Sequence, residues 1–96
     1  MSFQVSNNML KHRFEVEIGA RTAFLNYREA GNEIVFTHTE VPSALNGRGI
    51  GTALAKAGLE YARTKELRVV PQCSFVADFI RMHPQYQSLV AASAEG

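Results

Sequence analysis

The apolar residues of this chain change their spacing at Pro42, and that change limits what the chain can fold into. Before it, Phe14, Val16 and Ile18 alternate with Arg13, Glu15 and Glu17, the period of two that buries one face of a strand. Gly19-Ala20 is a turn, and Thr22 to Arg28 repeats the pattern with Ala23, Leu25 and Tyr27 on one face. Ala30-Gly31-Asn32 suits a hairpin, because glycine and asparagine tolerate positive φ. A third strand, Glu33 to Val41, carries Ile34-Val35-Phe36 and thins into His38-Thr39-Glu40-Val41. Pro42 cannot donate to a ladder, so pairing is expected to end there. After it, Gly49–Arg63 takes up helical spacing, with Ile50, Ala53, Leu54, Ala57, Gly58 and Tyr61 in one stripe and Lys56, Glu60 and Arg63 opposite. Small residues dominate that stripe, which lets a helix approach a sheet closely. Leu67–Val70 reads as a short buried strand closed by Pro71. Ser74–Met82 reads as a second helix with Phe75, Val76, Phe79 and Ile80 inward and His83-Pro84 as its stop. The expected class is α/β, of the α+β kind: an antiparallel three-strand meander, a helix, a strand parallel to the last of the meander, and a second helix.

Ninety-six residues make one domain near the lower limit for folding alone. Residues 1–12 are polar and weakly patterned and are expected to form a loose leader, 13–90 the domain, and 91–96 a frayed tail. The strand Arg13–Ile18 would then have an exposed edge able to pair with another chain, although nothing requires more than a monomer or weak homodimer. A net charge of +1 without a lysine or arginine cluster argues against a nucleic-acid partner. Cys73 is the sole cysteine, which excludes an internal disulfide and a cysteine-built zinc site and fits a reducing cytoplasm. No stretch has the composition of a signal peptide or the roughly 18 apolar residues of a membrane span. His12 and His83 are far from acidic partners in sequence, and no metal site is expected.

The run Leu45-Asn46-Gly47-Arg48-Gly49-Ile50-Gly51-Thr52 sits between a strand and a helix. Free N–H groups at a helix start carry partial positive charge, and glycines let that backbone approach a phosphate closely. Arg48 and the Thr52 hydroxyl add donors. The spacing is not that of a P-loop, which needs Lys-Ser/Thr after its last glycine. Nor is it a dinucleotide fingerprint, which follows the first strand of a βαβ unit.

This order of elements, with Asn46-Gly47-Arg48-Gly49-Ile50-Gly51 as a Gln/Arg-x-x-Gly-x-Gly/Ala loop, resembles the GNAT acetyltransferase superfamily. Asn46 replaces the usual Gln or Arg. His38-Thr39-Glu40-Val41, Pro71-x-Cys73 and His83-Pro84-x-Tyr86 bring it closest to the short, YjdJ-type GNAT-like proteins, over about residues 13–89. The resemblance implies acetyl-CoA as acyl donor and an amine, on a small molecule or a peptide, as acceptor. By the same analogy Arg48, Gly49, Gly51 and Thr52 amides hold the pyrophosphate, with Asn46, Gly47 and Ile50 completing the loop. Main chain at Glu40 and Val41 would run beside the pantetheine arm, with the Val41 N–H as oxyanion donor and Tyr86 as a general acid. The helical segment that separates the first two strands in longer members is missing, so the acceptor site is expected to be open, shared or weak. A non-catalytic acyl-CoA-binding or protein-interaction domain is the alternative.

Acetyl transfer to an amine needs a base, a stabilised carbonyl oxygen and a proton for the departing thiolate. His38 and Glu40, two apart on one strand, share a face, and either is a candidate base. Imidazole titrates near neutrality unaided, whereas a glutamate needs burial to do so. Cys73 immediately precedes the second helix, where the helix start favours its thiolate. It is a candidate either to accept acetyl transiently or to protonate the leaving thiolate.

Overall fold

Alternation decides the sheet. The computed structural model describes residues 3–91, in which five strands line up in chain order: β1 (Ser6–Asn8), β2 (Arg13–Ile18), β3 (Arg21–Ala30), β4 (Glu33–Glu40) and β5 (Arg68–Pro71). The first four pair antiparallel and β5 runs parallel to β4. Helix α1 (Ile50–Lys65) makes the return between β4 and β5 that a parallel pair demands. Helix α2 (Ser74–Met82) comes next, with short 3-10 turns at Ser43–Leu45 and Pro84–Leu89. Among the described residues no helix is long and apolar enough to cross a membrane.

The inward members of each alternating strand meet on one face. Phe14 and Val16 of β2, Ala23, Leu25 and Tyr27 of β3, and Ile34 and Phe36 of β4 form a cluster with Leu54, Leu59, Val76, Phe79 and Ile80 of the two helices. Burying each large side chain contributes roughly 1.5–3 kcal/mol. The buried stripe of α1 is Ile50, Leu54, Ala55, Gly58, Leu59 and Ala62. It is rotated from the expected one: Ala53, Ala57 and Tyr61 lie half-buried at its flank, because Leu54 and Leu59 carry the apolar volume and take the centre. Gly58 is where the helix comes closest to the sheet. A Cβ there would stand 2.8 Å from Phe36 Cε1 and 3.2 Å from Leu25 Cδ2.

The expected leader needs correction, and so does the first residue of the expected tail. Ser6–Asn8 is an edge strand paired with Arg13–Glu15, so the sheet has four antiparallel strands and this part of the β2 edge is covered. It is fastened by side chains: the Tyr27 hydroxyl donates to Asn7 Oδ1 at 2.7 Å, and Asn8 Nδ2 donates to Glu15 at 3.2 Å. At the other end Ala91 is buried and its N–H donates to Val69 O at 2.8 Å. Arg68 Nη2 donates to Val90 O at 2.8 Å. The remainder of the expected tail, 92–96, lies outside the described residues.

The ladder between β3 and β4 is broken at one place. Tyr27 pairs with Phe36 and Asn26 pairs with His38, leaving Thr37 as an extra residue in β4. Such a bulge bends its strand and sharpens its twist.

Candidate active site

Strands β4 and β5 part at this bulge. Their last paired residues are Phe36 and Pro71, yet β4 continues to Glu40. Beyond Phe36 the side of β4 that faced β5 has no strand partner, and a gap opens between the two chains. The far side of the gap is held by Cys73, whose N–H donates to Phe36 O at 2.8 Å and fixes the start of α2 against β4.

The bulge also sorts the side chains of β4. Directly paired residues share a face. Thr39 is opposite buried Leu25 and so faces the helices, where its Oγ1 lies 3.1 Å from Cys73 Sγ. Cys73 is only 7% exposed. His38 and Glu40, opposite Asn26 and Phe24, face the other way. That second face, with Glu15, Phe24, Asn26 and Val35, carries no helix among the described residues. Strands β2 and β3 are joined there by only Gly19 and Ala20. His38 Nε2 lies 2.8 Å from Glu40 Oε1, both side chains about half exposed. When Nε2–H donates to Glu40, Nδ1 keeps its lone pair and can take a proton. Nearby, the Arg13 guanidinium lies 4.5 Å from the Phe24 ring centroid and binds Glu15, holding that carboxyl below its usual range against the opposing effect of burial.

Above the gap, the loop delivers α1. Pro42 ends the strand and the 3-10 turn buries Leu45. Gly47 and Gly49 then take φ of 81° and 79°, a region that residues with a Cβ rarely enter. Gly49 is the N-cap of α1 and no side chain caps the helix, so its first N–H groups lack intrahelical acceptors and present positive charge. They open onto a hollow of about 240 Å³ lined by Val41, Asn46, Gly47, Gly49, Ile50, Gly51 and Thr52, with Leu45 and Phe75. Glu40 is the last residue of β4 and directly precedes Val41 of this lining. The space beside both glycines is open: a Cβ built at Gly47 or Gly49 would meet no atom within 4 Å.

Of the expected site residues, the fold brings Val41, Asn46, Gly47, Gly49, Ile50, Gly51 and Thr52 into one hollow, while the exposed Arg48 lines a neighbouring one; it brings Cys73 to Thr39 beside the gap, with His38 and Glu40 on the open face. Tyr86 stands elsewhere. It is 3% exposed, its hydroxyl donates to Glu60 Oε2 of α1 at 2.7 Å, and Arg63 lies 5.4 Å from its ring centroid. Burial first, and the bond to Glu60 second, push its pKa up. Sequence reasoning missed Thr39 as the neighbour of Cys73, and it assigned Phe75 to the core. Phe75 is instead 40% exposed and walls the hollow, its ring lying over Gly51. Its position in the first turn of α2, directly after Cys73, is the one signal that it could reach this site. Among the described residues no group of His, Cys, Asp or Glu is arranged to hold a metal ion.

A splayed parallel pair with a glycine-rich helix start above it is one arrangement among many, and comparison with known proteins decides its kinship. Residues 13–89 match the family model of the GCN5-related N-acetyl-transferases. The chain belongs to that family. It is also 35% identical over 89 residues to Protein NATD1 of Bos taurus, covering 90% of this chain and 79% of the relative. The corresponding Gallus gallus and Homo sapiens proteins are 34% and 33% identical over 89 residues. A GCN5-like protein from Staphylococcus aureus, solved by NMR, superposes with a TM-score of 0.73 at 28% identity, over 94% of this chain and 89% of that one.

Proposed function

We propose that this chain transfers an acetyl group from acetyl-CoA to an amine, on a small molecule or a peptide, with the thioester seated in the gap between β4 and β5. The observation that carries the reading is the parting of β4 from β5 at Phe36–Pro71, directly beneath an uncapped helix start lined by Gly47, Gly49 and Gly51. The amides of Arg48, Gly49, Gly51 and Thr52 hold the pyrophosphate, and the loop residues Asn46 and Ile50 complete the cradle. The main chain at Glu40 and Val41, on the edge that β5 no longer pairs, lies along the pantetheine arm. The Val41 N–H, aimed at the carbonyl oxygen, stabilises the charge that develops there.

The two faces of the sheet then divide the proton work. The acceptor amine approaches over the open face and gives its proton to His38 or Glu40. On the helical face Cys73, hydrogen-bonded to Thr39, either donates its proton to the leaving CoA thiolate or accepts the acetyl group before the amine does. Tyr86 has no part in this scheme, since its hydroxyl is committed to Glu60. A cytoplasmic setting, which keeps Cys73 reduced, suits both versions. The exposed acceptor face favours one second reading, a domain that binds acyl-CoA without transferring it.

Titration calorimetry with acetyl-CoA and free CoA tests the cradle. Micromolar binding is expected, lost in Gly49→Val with the fold intact by circular dichroism; a folded native chain that binds neither ligand refutes the reading. Release of CoA in the presence of an amine panel separates transfer from binding alone. Intact mass after incubation with acetyl-CoA separates the two roles of Cys73, because only the covalent one leaves an acetyl adduct that disappears in Cys73→Ala.

A further inference from the structure

The glycine loop contains a chemical reactivity that acetyl transfer does not use. Asn46 is directly followed by Gly47, and of the five asparagines in the chain it alone has a glycine after it. Asn7, Asn8 and Asn26 lie in strands, and Asn32 precedes Glu33. Asparagine is a labile side chain, because the nitrogen of the following peptide unit can attack its carbonyl carbon. A Cβ on the following residue hinders that attack, and glycine has none. The fold leaves the pair accessible, since Asn46 and Gly47 are both exposed. Among the described residues neither the Asn46 side chain nor the Gly47 N–H makes a hydrogen bond. Asn46 leaves the 3-10 turn in an extended conformation, and Gly47 follows at a φ of 81° with open space beside it. Both residues line the hollow at the start of α1.

We propose that Asn46 is a deamidation site whose product closes the cradle to acetyl-CoA. The Gly47 nitrogen bonds to Asn46 Cγ, and the bond from Cγ to the side-chain nitrogen breaks. Ammonia leaves with the proton that Gly47 gives up, and a cyclic succinimide remains. Solvent water then opens the ring at either carbonyl, which leaves aspartate or isoaspartate at this position. No oxidation or reduction occurs, and the chain gains a negative charge, because an ordinary carboxyl is ionised at neutral pH. That charge belongs to the lining of the hollow onto which the uncapped amides of α1 open. A carboxylate there is drawn to the same positive helix start as a phosphate, and it repels any phosphate that arrives. Isoaspartate also lengthens the main chain by a methylene just ahead of Gly47 and Gly49. The loss of affinity rests on the acyl-CoA reading given above; the deamidation itself does not. A bound donor covers Asn46, so the empty site is the one that converts.

The test incubates the full native chain, Asn46→Gln and Asn46→Asp at mildly alkaline pH, with and without acetyl-CoA, and follows them by peptide mass spectrometry and calorimetry. In the native chain the peptide holding Asn46 is expected to gain the mass that separates an acid from an amide, with isoaspartate among the products. Its affinity for acetyl-CoA should fall about tenfold or more as conversion completes. Asn46→Asp should show the lower affinity from the start, with its fold intact by circular dichroism. Asn46→Gln should gain no mass at this position, and its affinity should not drift. Saturating acetyl-CoA should slow the native conversion. A folded native chain that keeps its Asn46 amide, under conditions that convert the same chain in urea, overturns the site. Equal acetyl-CoA affinity of the native chain and folded Asn46→Asp overturns the closing of the cradle and leaves the acyl-CoA reading standing. A fresh native chain that binds no acetyl-CoA overturns that reading and the closing together, whereas the mass gain at Asn46 is read without any ligand.

Discussion

Gly51 and Gly58 lie two turns apart on α1, and alanine is expected to act in opposite directions at the two positions. In a helix interior alanine is favoured over glycine by about 0.8–1.0 kcal/mol. At Gly58 the added methyl would stand 2.8 Å from Phe36 Cε1, 3.0 Å from its Cζ and 3.2 Å from Leu25 Cδ2. Both of those side chains are fully buried, so neither can swing aside. Overpacking of this kind costs about 1–3 kcal/mol. Taking about 2 kcal/mol for the clash and about 1 for the helix, Gly58→Ala loses about 1 kcal/mol net. At Gly51 the methyl would meet only the Phe75 ring, at 2.8 Å from Cζ, and that ring is 40% exposed and free to turn outward. Gly51 is the second residue of α1, where only part of the interior gain applies, so Gly51→Ala is expected to stabilise the fold by up to about 0.5 kcal/mol. The displaced ring no longer walls the cradle, however, so acetyl-CoA binding should weaken as stability rises. Urea unfolding followed by circular dichroism gives the two stabilities, and calorimetry gives the affinity. A Gly58→Ala variant as stable as the native chain would refute the packing argument. Equal destabilisation by both variants would show that Phe75 is as fixed as Phe36.

The Tyr61 hydroxyl donates to Glu29 at 2.7 Å, and this bond, with burial second, raises its pKa from 10.0 to about 12. The fold thus binds that proton more tightly than the unfolded chain, so the contribution is complete below pH 10 and fades as pH climbs toward about 12. Tyr61→Phe should flatten this alkaline loss in denaturant midpoints taken across the window; an unchanged slope would refute it. Tyr86→Phe should cost about 1 kcal/mol of stability and leave acetyl transfer nearly intact. A drop of about 10² or more in rate with the fold preserved would restore Tyr86 as the general acid. Acetyl-CoA at about 100 times its Kd should stabilise the fold by about 2.7 kcal/mol, raising Tm by roughly 10–20 °C for a domain of this size. A scan without a shift would contradict the cradle.

Strands β2 to β4 and both helices were legible because each carries its own period: Phe14/Val16, Ala23/Leu25/Tyr27 and Ile34/Phe36 need no distant information to declare a buried face. Strand β1 has no such signal. Ser6-Asn7-Asn8 is polar throughout, and it joins the sheet through Tyr27 and Glu15, residues that only the fold brings to it. The stripe of α1 was misplaced for a related reason, since helical spacing alone does not weigh Leu59 above Ala57. The glycine loop was legible because Gly47 and Gly49 occupy backbone positions that demand glycine. Phe75 was not, because an apolar residue on an amphipathic helix reads as core until its neighbour proves to be Gly51. The bulge was equally hidden: Thr37 looks like any other strand residue, and only the pairing with β3 singles it out.

That extra residue has a consequence for how the gap could arise or be lost. Removing the single codon for Thr37 would leave Tyr27 opposite Phe36 and Asn26 opposite His38, the same pairs as now but in an unbroken ladder. His38 and Glu40 would still face outward and Thr39 inward, because the alternation on either side of the deletion is already in phase. What would change is the bend that turns β4 from β5. The parity of the side chains and the opening of the sheet are therefore separable by a deletion where no substitution can separate them. A family gaining or shedding one residue at this point would switch the opening without moving any functional side chain to the other face.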